Sequence, residues 1–519
     1  MNHPRSDAVA PAVLVAVALL AGVLAMTPWM VGGLYDDGMY VVLARSLATG
    51  EGYRYLNIPG APRATHFPPG YPAFLALLWQ FWPSFPANVA LFKLANAVLM
   101  ALAALGSWEL GRRALRLGAW PAAAVAAVFT ISIPVLILSS AVMSEMLFLA
   151  LLVPAILLAG RVVDDGGWRA AVWAGLLTGA VMLVRSVGIA LVPAALLALA
   201  SRRRWREAGV YLSAVVLLVG PWQAWVAAND WRIPAAIAPS YGAYAGWIAE
   251  AVSGEGAAFV RGVLARNLAG LGRIARAILS PVPVGVAAWV FVAGVAALFV
   301  GGLWRLRHRA PVLALFVVLY LALIVAWPYG PDRFVFAIWP LVGLVLAAGA
   351  AQAWDWRERP ATRVPAALLA GVALATVVAH TTYGVRGARG HYWDAAQRAG
   401  HRRALPLVAW ATDHAPPRAV LSVEADPLVY LYSGRRAVPQ VQWRVGEYLR
   451  RREGVETAGD MEAIFRTFSP DFLLVRDIGS NTQVAALAFI QRHPTALQQV
   501  GTLPDGGAVF RVRPQVAAP

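Results

Sequence analysis

The chain has 519 residues, 59% of them hydrophobic and only 14% charged, against about 25% charged in an ordinary soluble domain. Cysteine is absent, which excludes thiolate catalysis, disulfides, iron–sulfur clusters and cysteine-ligated zinc. The net charge of +17 comes almost wholly from arginine, and the one lysine, Lys93, lies in Phe-Lys-Leu, so a phosphate loop of the Gly-Lys-Ser/Thr type is excluded.

Apolar runs of about 18 residues or more recur along the chain, each long enough to cross about 30 Å of hydrocarbon. Helical spans are predicted near 9–33, 87–111, 119–138, 146–160, 168–184, 187–200, 207–228, 282–303, 310–328, 333–353 and 362–382. The first is too long an apolar run for a signal peptide and shows no convincing cleavage site. The fold class is therefore an α-helical polytopic membrane protein with about eleven transmembrane helices.

Basicity of this kind could serve nucleic acid, but the arginines have a plainer place. Arg112, Arg113 and Arg116, then Arg161 and Arg169, Arg202 to Arg204 with Arg206, Arg305, Arg307 and Arg309, and Arg357, Arg359 and Arg363 all fall in short loops between spans. If spans alternate, those loops share one side, and the positive-inside bias makes that side cytoplasmic. The protein is then expected in the cytoplasmic (inner) membrane. The loop at about 34–86, the loop 229–281 and everything after about 384 face outward.

In the first outer loop, Asp36 and Asp37 follow span one directly, then Tyr40 on a short helix "GMYVVLARSLA", then His66 in "HFPPGYP". Ser144 and Glu145 sit between spans three and four, Arg185 between spans five and six, and Asp332 and Arg333 between spans nine and ten. In the loop 229–281, Val260, Leu264, Leu268, Leu271, Ala275 and Ile278 share one helical face, with Arg261, Arg266, Arg273 and Arg276 largely elsewhere. That pattern predicts an amphipathic helix on the membrane surface. Residues 1–383 are read as the membrane domain and 384–519 as an extracytoplasmic α/β domain, with "GVRGARG" (384–390) as a linker. "AVLSVE", "DFLLV" and "AVFRVR" read as strands, and "MEAIFRTF" and "VAALAFIQRH" as helices.

Each polar residue has a plain alternative. Asp36 and Glu145 suit helix N-caps, Arg185 and Arg333 suit snorkelling to headgroups, His66 suits an ordinary loop, and the prolines after it suit a rigid turn. Their convergence on one face favours function, because ionisable groups at membrane depth are costly. A base for an acceptor hydroxyl and cations for a phosphate leaving group suit glycosyl transfer from a lipid phosphate.

The first loop resembles that of the GT-C glycosyltransferases, which include the protein O-mannosyltransferases, the lipid A aminoarabinose transferases and a bacterial family-39-like group. The resemblance lies in Asp36-Asp37-Gly-Met-Tyr40 and His66-Phe-Pro68-Pro69, with "MSEMLF" and "DRFVFAIWP" similar to later motifs. It implies Asp36 as catalytic base, Asp37 as supporting acid, and an inverting single displacement from a polyprenyl-phosphate sugar. Tyr40, His66, Glu145, Arg185 and Arg333 are the expected substrate- or phosphate-binding residues. Two departures stand out: the second acid is Asp where Glu is commoner, and His66 stands where the aminoarabinose enzymes have Lys. A neutral His66 holds phosphate less strongly, which shifts that role to Arg185 or Arg333. Expected partners are the lipid-linked donor, a glycan, lipid or protein acceptor, and membrane lipids, with no nucleic acid. No cofactor is certain; a divalent cation on Asp36, Asp37 and Glu145 stays open, and no His pair supports zinc. The competing readings are a lipid or solute transporter or flippase, a polysaccharide polymerase or ligase, and a non-catalytic envelope assembly factor.

Overall fold

The computed structural model of the chain describes residues 4–251, 256–282, 284–476 and 481–513. Each predicted span corresponds to a helix or a broken pair of helices. Among the described residues, Val89–Leu115, Glu145–Asp165, Trp205–Asn229, Val286–Arg309 and Arg363–Gly390 contain runs long and apolar enough to cross a membrane. Shorter apolar helices lie at Ala8–Leu24, Trp168–Val184, Ser186–Ser201 and Pro311–Ala326.

Three spans differ from their predicted form. The first ends at Leu24, well short of 33. The predicted span 119–138 is bent by 64° between Ala119–Thr130 and Ile133–Ser139. Pro134 is the cause: it has no N–H to donate back to Thr130 and disfavours a helical residue before it. The predicted span 333–353 likewise divides into Asp332–Ala337 and Trp339–Trp356, with Pro340 at the second position of the new helix. Asp36, Asp37, Glu145, Arg185, Asp332 and Arg333 thus sit at helix ends and breaks, where backbone groups must find new partners.

Helices Val286–Arg309 and Trp339–Trp356 pack backbone to backbone. A Cβ on Gly302 would meet Val345 O at 1.9 Å, and one on Gly349 would meet Leu298 O at 1.9 Å. Small residues allow this approach where no hydrophobic drive favours helix association.

The C-terminal domain is α/β, as the sequence predicts. Its strands are β1 (Val420–Val423), β2 (Arg436–Val438), β3 (Phe472–Val475), β4 (Leu497–Thr502) and β5 (Ala508–Val512). They form one sheet in the order β2-β1-β3-β5-β4, parallel for β2-β1-β3 and antiparallel for β3-β5-β4. Helices Ala395–His414, Asp426–Ser433, Gly454–Phe468 and Asn481–Arg492 complete it. Leu407, Trp410, Leu421, Leu428, Leu474 and Val509 are among its buried core.

Two sequence expectations change. "GVRGARG" is not a linker: it continues the helix Arg363–Gly390, where Gly387 fits tightly against Ile133. The amphipathic helix exists as Gly256–Leu279, but its buried face is Phe259, Val263, Asn267, Ile274 and Ile278. The predicted face is displaced from this one, and its Val260 and Leu268 are exposed. Asn267 explains the rotation, because its amide donates to the main-chain oxygens of Ile324, Val325 and Trp327.

The chain forms two compact units, neither of them one stretch of sequence. One comprises Met1–Thr27, Lys93–Pro221 and Val263–Asp394; the other comprises Pro28–Phe92, Trp222–Gly262 and Ala395–Pro519. The predicted first loop therefore belongs with the C-terminal sheet. Ala437 N–H, on β2, donates to Asn57 O at 2.9 Å.

Candidate active site

Asp36 and Asp37 open the helix Asp36–Ala48, where carboxylates suit the helix dipole. The residue before them is the unusual one. Tyr35 has φ 69° and ψ −65°, and Asp36 N–H donates to Leu34 O at 3.0 Å. This is a γ-turn with positive φ at a non-glycine residue, a rare and strained geometry. Such conformations cost of order 1–3 kcal/mol and cluster at functional sites.

Asp37 turns back on this loop. It is buried, and its two oxygens accept N–H groups from Gly32 at 2.8 Å and Leu34 at 3.0 Å. Burial raises its pKa to about 6, opposed by those backbone donors. Asp36 is only partly buried. The adjacent acids therefore differ in environment: Asp37 holds the turn, and Asp36 stands at its mouth.

Beneath the turn lies a buried polar cluster. The Tyr35 phenol is hydrogen-bonded to Asp426 and Tyr241. Asp426 is fully buried, and its Oδ2 accepts from Asn57 Nδ2 at 2.8 Å and from Tyr241 Oη. Asn57 Nδ2 also donates to Tyr241 Oη at 2.8 Å. Burial raises Asp426 to about 7, with the Tyr241 bond opposing. Burial and then the Asp426 charge lift both tyrosines well above their ordinary value.

Tyr40 and His66 sit in an aromatic cluster. Tyr40 meets Phe67 and Tyr71 edge to face at 5.2 and 5.1 Å. His66 packs against Phe67, Tyr244 and Trp247. Its Nδ1 lies 2.6 Å from Gly242 O, which assigns the proton to Nδ1. Burial lowers its pKa, so at neutral pH the ring is uncharged and Nε2 is an acceptor.

In the other unit, Glu145 is fully buried at the start of its helix and joins two cations. Arg185 Nη1 lies 2.7 Å from its Oε1, and Arg333 Nε bonds the same oxygen. Arg185 also donates to Ser144 Oγ at 3.0 Å and lies over the Phe334 ring. Two guanidinium groups on one carboxylate leave a net charge of one positive. Arg333 retains partial exposure. Glu145, one of the residues expected from the sequence to contact substrate, is thus in contact with both arginines.

Several partners escaped sequence reading. Tyr35, Asn57, Tyr241 and Asp426 carry no motif, although Tyr35 adjoins the acidic pair. Lys93 is buried and donates to Thr27 O at 2.7 Å, and its being the only lysine was the available signal. Among the described residues no group of three or more His, Cys, Asp or Glu is placed to hold a metal, and the carboxylates of Asp37 and Glu145 already have donors.

A family model described as dolichyl-phosphate-mannose-protein mannosyltransferase matches residues 67–225. That stretch contains Glu145 and Arg185, while Asp36, Asp37, Tyr40, His66 and Arg333 lie outside it. No curated protein matches the sequence. Among solved structures, ArnT from Cupriavidus metallidurans bound to undecaprenyl phosphate is similar over 98% of this chain and 99% of that one, with 15% identity and a TM-score of 0.57. The same protein in the apo state is similar over 98% of each chain, with 15% identity and a TM-score of 0.56. At such identity the likeness establishes the fold alone: an ArnT-like architecture of many apolar helices with a C-terminal α/β domain.

Proposed function

We propose that this GT-C-fold chain is a membrane glycosyltransferase that moves a sugar from a polyprenyl-phosphate donor to a hydroxyl of an envelope acceptor. The acceptor is a glycolipid, polysaccharide or protein. The membrane-spanning helices hold the donor, and the chemistry takes place on the extracytoplasmic side of the cytoplasmic membrane. The transporter, flippase and ligase readings are not favoured by this fold.

Asp36 takes the proton of the acceptor hydroxyl as its oxygen attacks the anomeric carbon. The bond from that carbon to the phosphate oxygen breaks, and the electron pair leaves with polyprenyl phosphate. One displacement inverts the sugar carbon. The leaving group changes from a singly charged diester to a monoester with a second negative charge. Arg185 and Arg333 are proposed to meet that charge. Cations set in advance by a buried partner stabilise developing charge without reorganising. His66, being neutral, does not supply positive charge here, in line with its departure from the lysine of the aminoarabinose enzymes.

The observation that carries this reading is the Arg185–Glu145–Arg333 arrangement, a net-positive pair of guanidiniums held on one buried carboxylate. The test is turnover of purified protein with undecaprenyl-phosphate hexoses and pentoses, with the product's anomeric configuration read by NMR. Retention of configuration, or a trapped sugar–enzyme adduct, would overturn the single-displacement mechanism.

A further inference from the structure

We infer that Asp426, on the C-terminal α/β domain, is a positioning residue for the Asp36 carboxylate, acting through the Tyr35 side chain and the γ-turn centred on it. This rests on the reading of Asp36 as the base.

The turn needs an outside hold, because a tyrosine keeps positive φ only where its surroundings over-determine it. Two holds are visible. Asp37 fixes the backbone by accepting the N–H groups of Gly32 and Leu34. The Tyr35 phenol is fixed by Asp426 and Tyr241. Without the second hold, the Tyr35 phenol loses its partners and the turn rests on Asp37 and on packing against its backbone.

Asp426 has no part in the chemistry proposed above, yet it is a fully buried acid that accepts from two phenols and one amide. The residues after it complete the seat. A Cβ on Gly32, itself at φ +102°, would lie 2.6 Å from Leu428 Cβ, and one on Gly38 would lie 3.2 Å from Pro427 Cβ. The helix Asp426–Ser433 thus presses on the loop backbone on either side of Tyr35 while its first residue holds the ring. The bonds from Asn57 and Tyr241 both reach Oδ2, and Oδ1 has no hydrogen-bond partner, so asparagine can keep one acceptor in that place but loses the charge that strengthens the bonds.

The experiment compares wild type, Asp426→Asn, Tyr35→Phe, the double variant and Asp36→Asn. The probe is whichever undecaprenyl-phosphate hexose or pentose the wild type consumes. A displacement of about 1 Å costs about 10²-fold in rate, so each single variant is expected to lose about that much kcat. KM for the donor stays unchanged, and the double variant is no worse than either single one, because both act through one bond. A merely structural role would instead lower thermal stability and leave kcat per folded molecule intact. With Asp36→Asn inactive, a single variant that keeps kcat within about twofold of wild type, or multiplicative losses in the double variant, overturns the inference alone. An active Asp36→Asn, or no turnover by wild type with any probe, removes the premise and the inference with it. If Asp426→Asn does not fold, Tyr35→Phe, which deletes one oxygen, decides.

Discussion

Asp37 accepts the N–H groups of Gly32 and Leu34 with its two oxygens, and this separates the tasks of two neighbouring acids. Asp36→Asn keeps size and shape while removing the base, so turnover should fall about 10²–10⁴-fold with little change in melting temperature. Asp37→Asn leaves one acceptor oxygen for two backbone donors. An unsatisfied buried donor costs about 1–3 kcal/mol, so this variant should lose chiefly stability, read by thermal melting in detergent. The pair also sets a pH dependence. Burial raises Asp37 from 3.8 to about 6 and Asp426 from 3.8 to about 7. A carboxyl raised on folding favours the fold in its protonated form, so its contribution is complete below about pH 4 and is lost as pH rises through the folded value. The melting temperature should therefore decline between about pH 4 and 7, and Asp426→Asn should remove the decline between about 6 and 7. A flat profile in the wild type would contradict the burial assigned to both acids.

Arg185 and Arg333 belong to the ends of two separate helices, and Glu145 to the start of a third. Either arginine can be removed while Glu145 keeps the other, so both Arg→Ala variants should fold. A charge-assisted contact contributes about 1.5–3 kcal/mol, so each should weaken donor use about tenfold or more, measured by donor saturation. Normal saturation in both would return them to headgroup snorkelling. Glu145→Ala removes the carboxylate from buried Arg185 and from partly exposed Arg333 and should cost about 3 kcal/mol of stability. These elements were legible because an apolar run of a span's length is unmistakable and an ion at its end stands out. The breaks were less so: Pro134 and Pro340 lie inside runs whose hydropathy never falters. β2, three residues long, and β4, a polar "LQQVGT" with little buried, gave no alternation to read. The γ-turn was illegible, since nothing about a tyrosine announces positive φ. Asp426 was hidden by distance, its partner Asn57 lying 369 positions away.

At the scale of the whole chain, the orientation proposed above predicts that reporters fused near Thr65 and after Gly390 both signal an extracytoplasmic location. A cytoplasmic signal at either place would reverse the assignment of sides. The compact unit made of Pro28–Phe92, Trp222–Gly262 and Ala395–Pro519 also carries a consequence for synthesis. A ribosome adds about 5–20 residues per second, so Asn57 waits roughly 20–75 s before Asp426 is made. During that interval the later spans are still being made, and the anchor under Tyr35 does not exist. On the positioning role inferred for Asp426, a chain released before that residue is made should be inserted but about 10²-fold less active. In a pulse–chase experiment, membrane insertion should precede the appearance of turnover by about that delay.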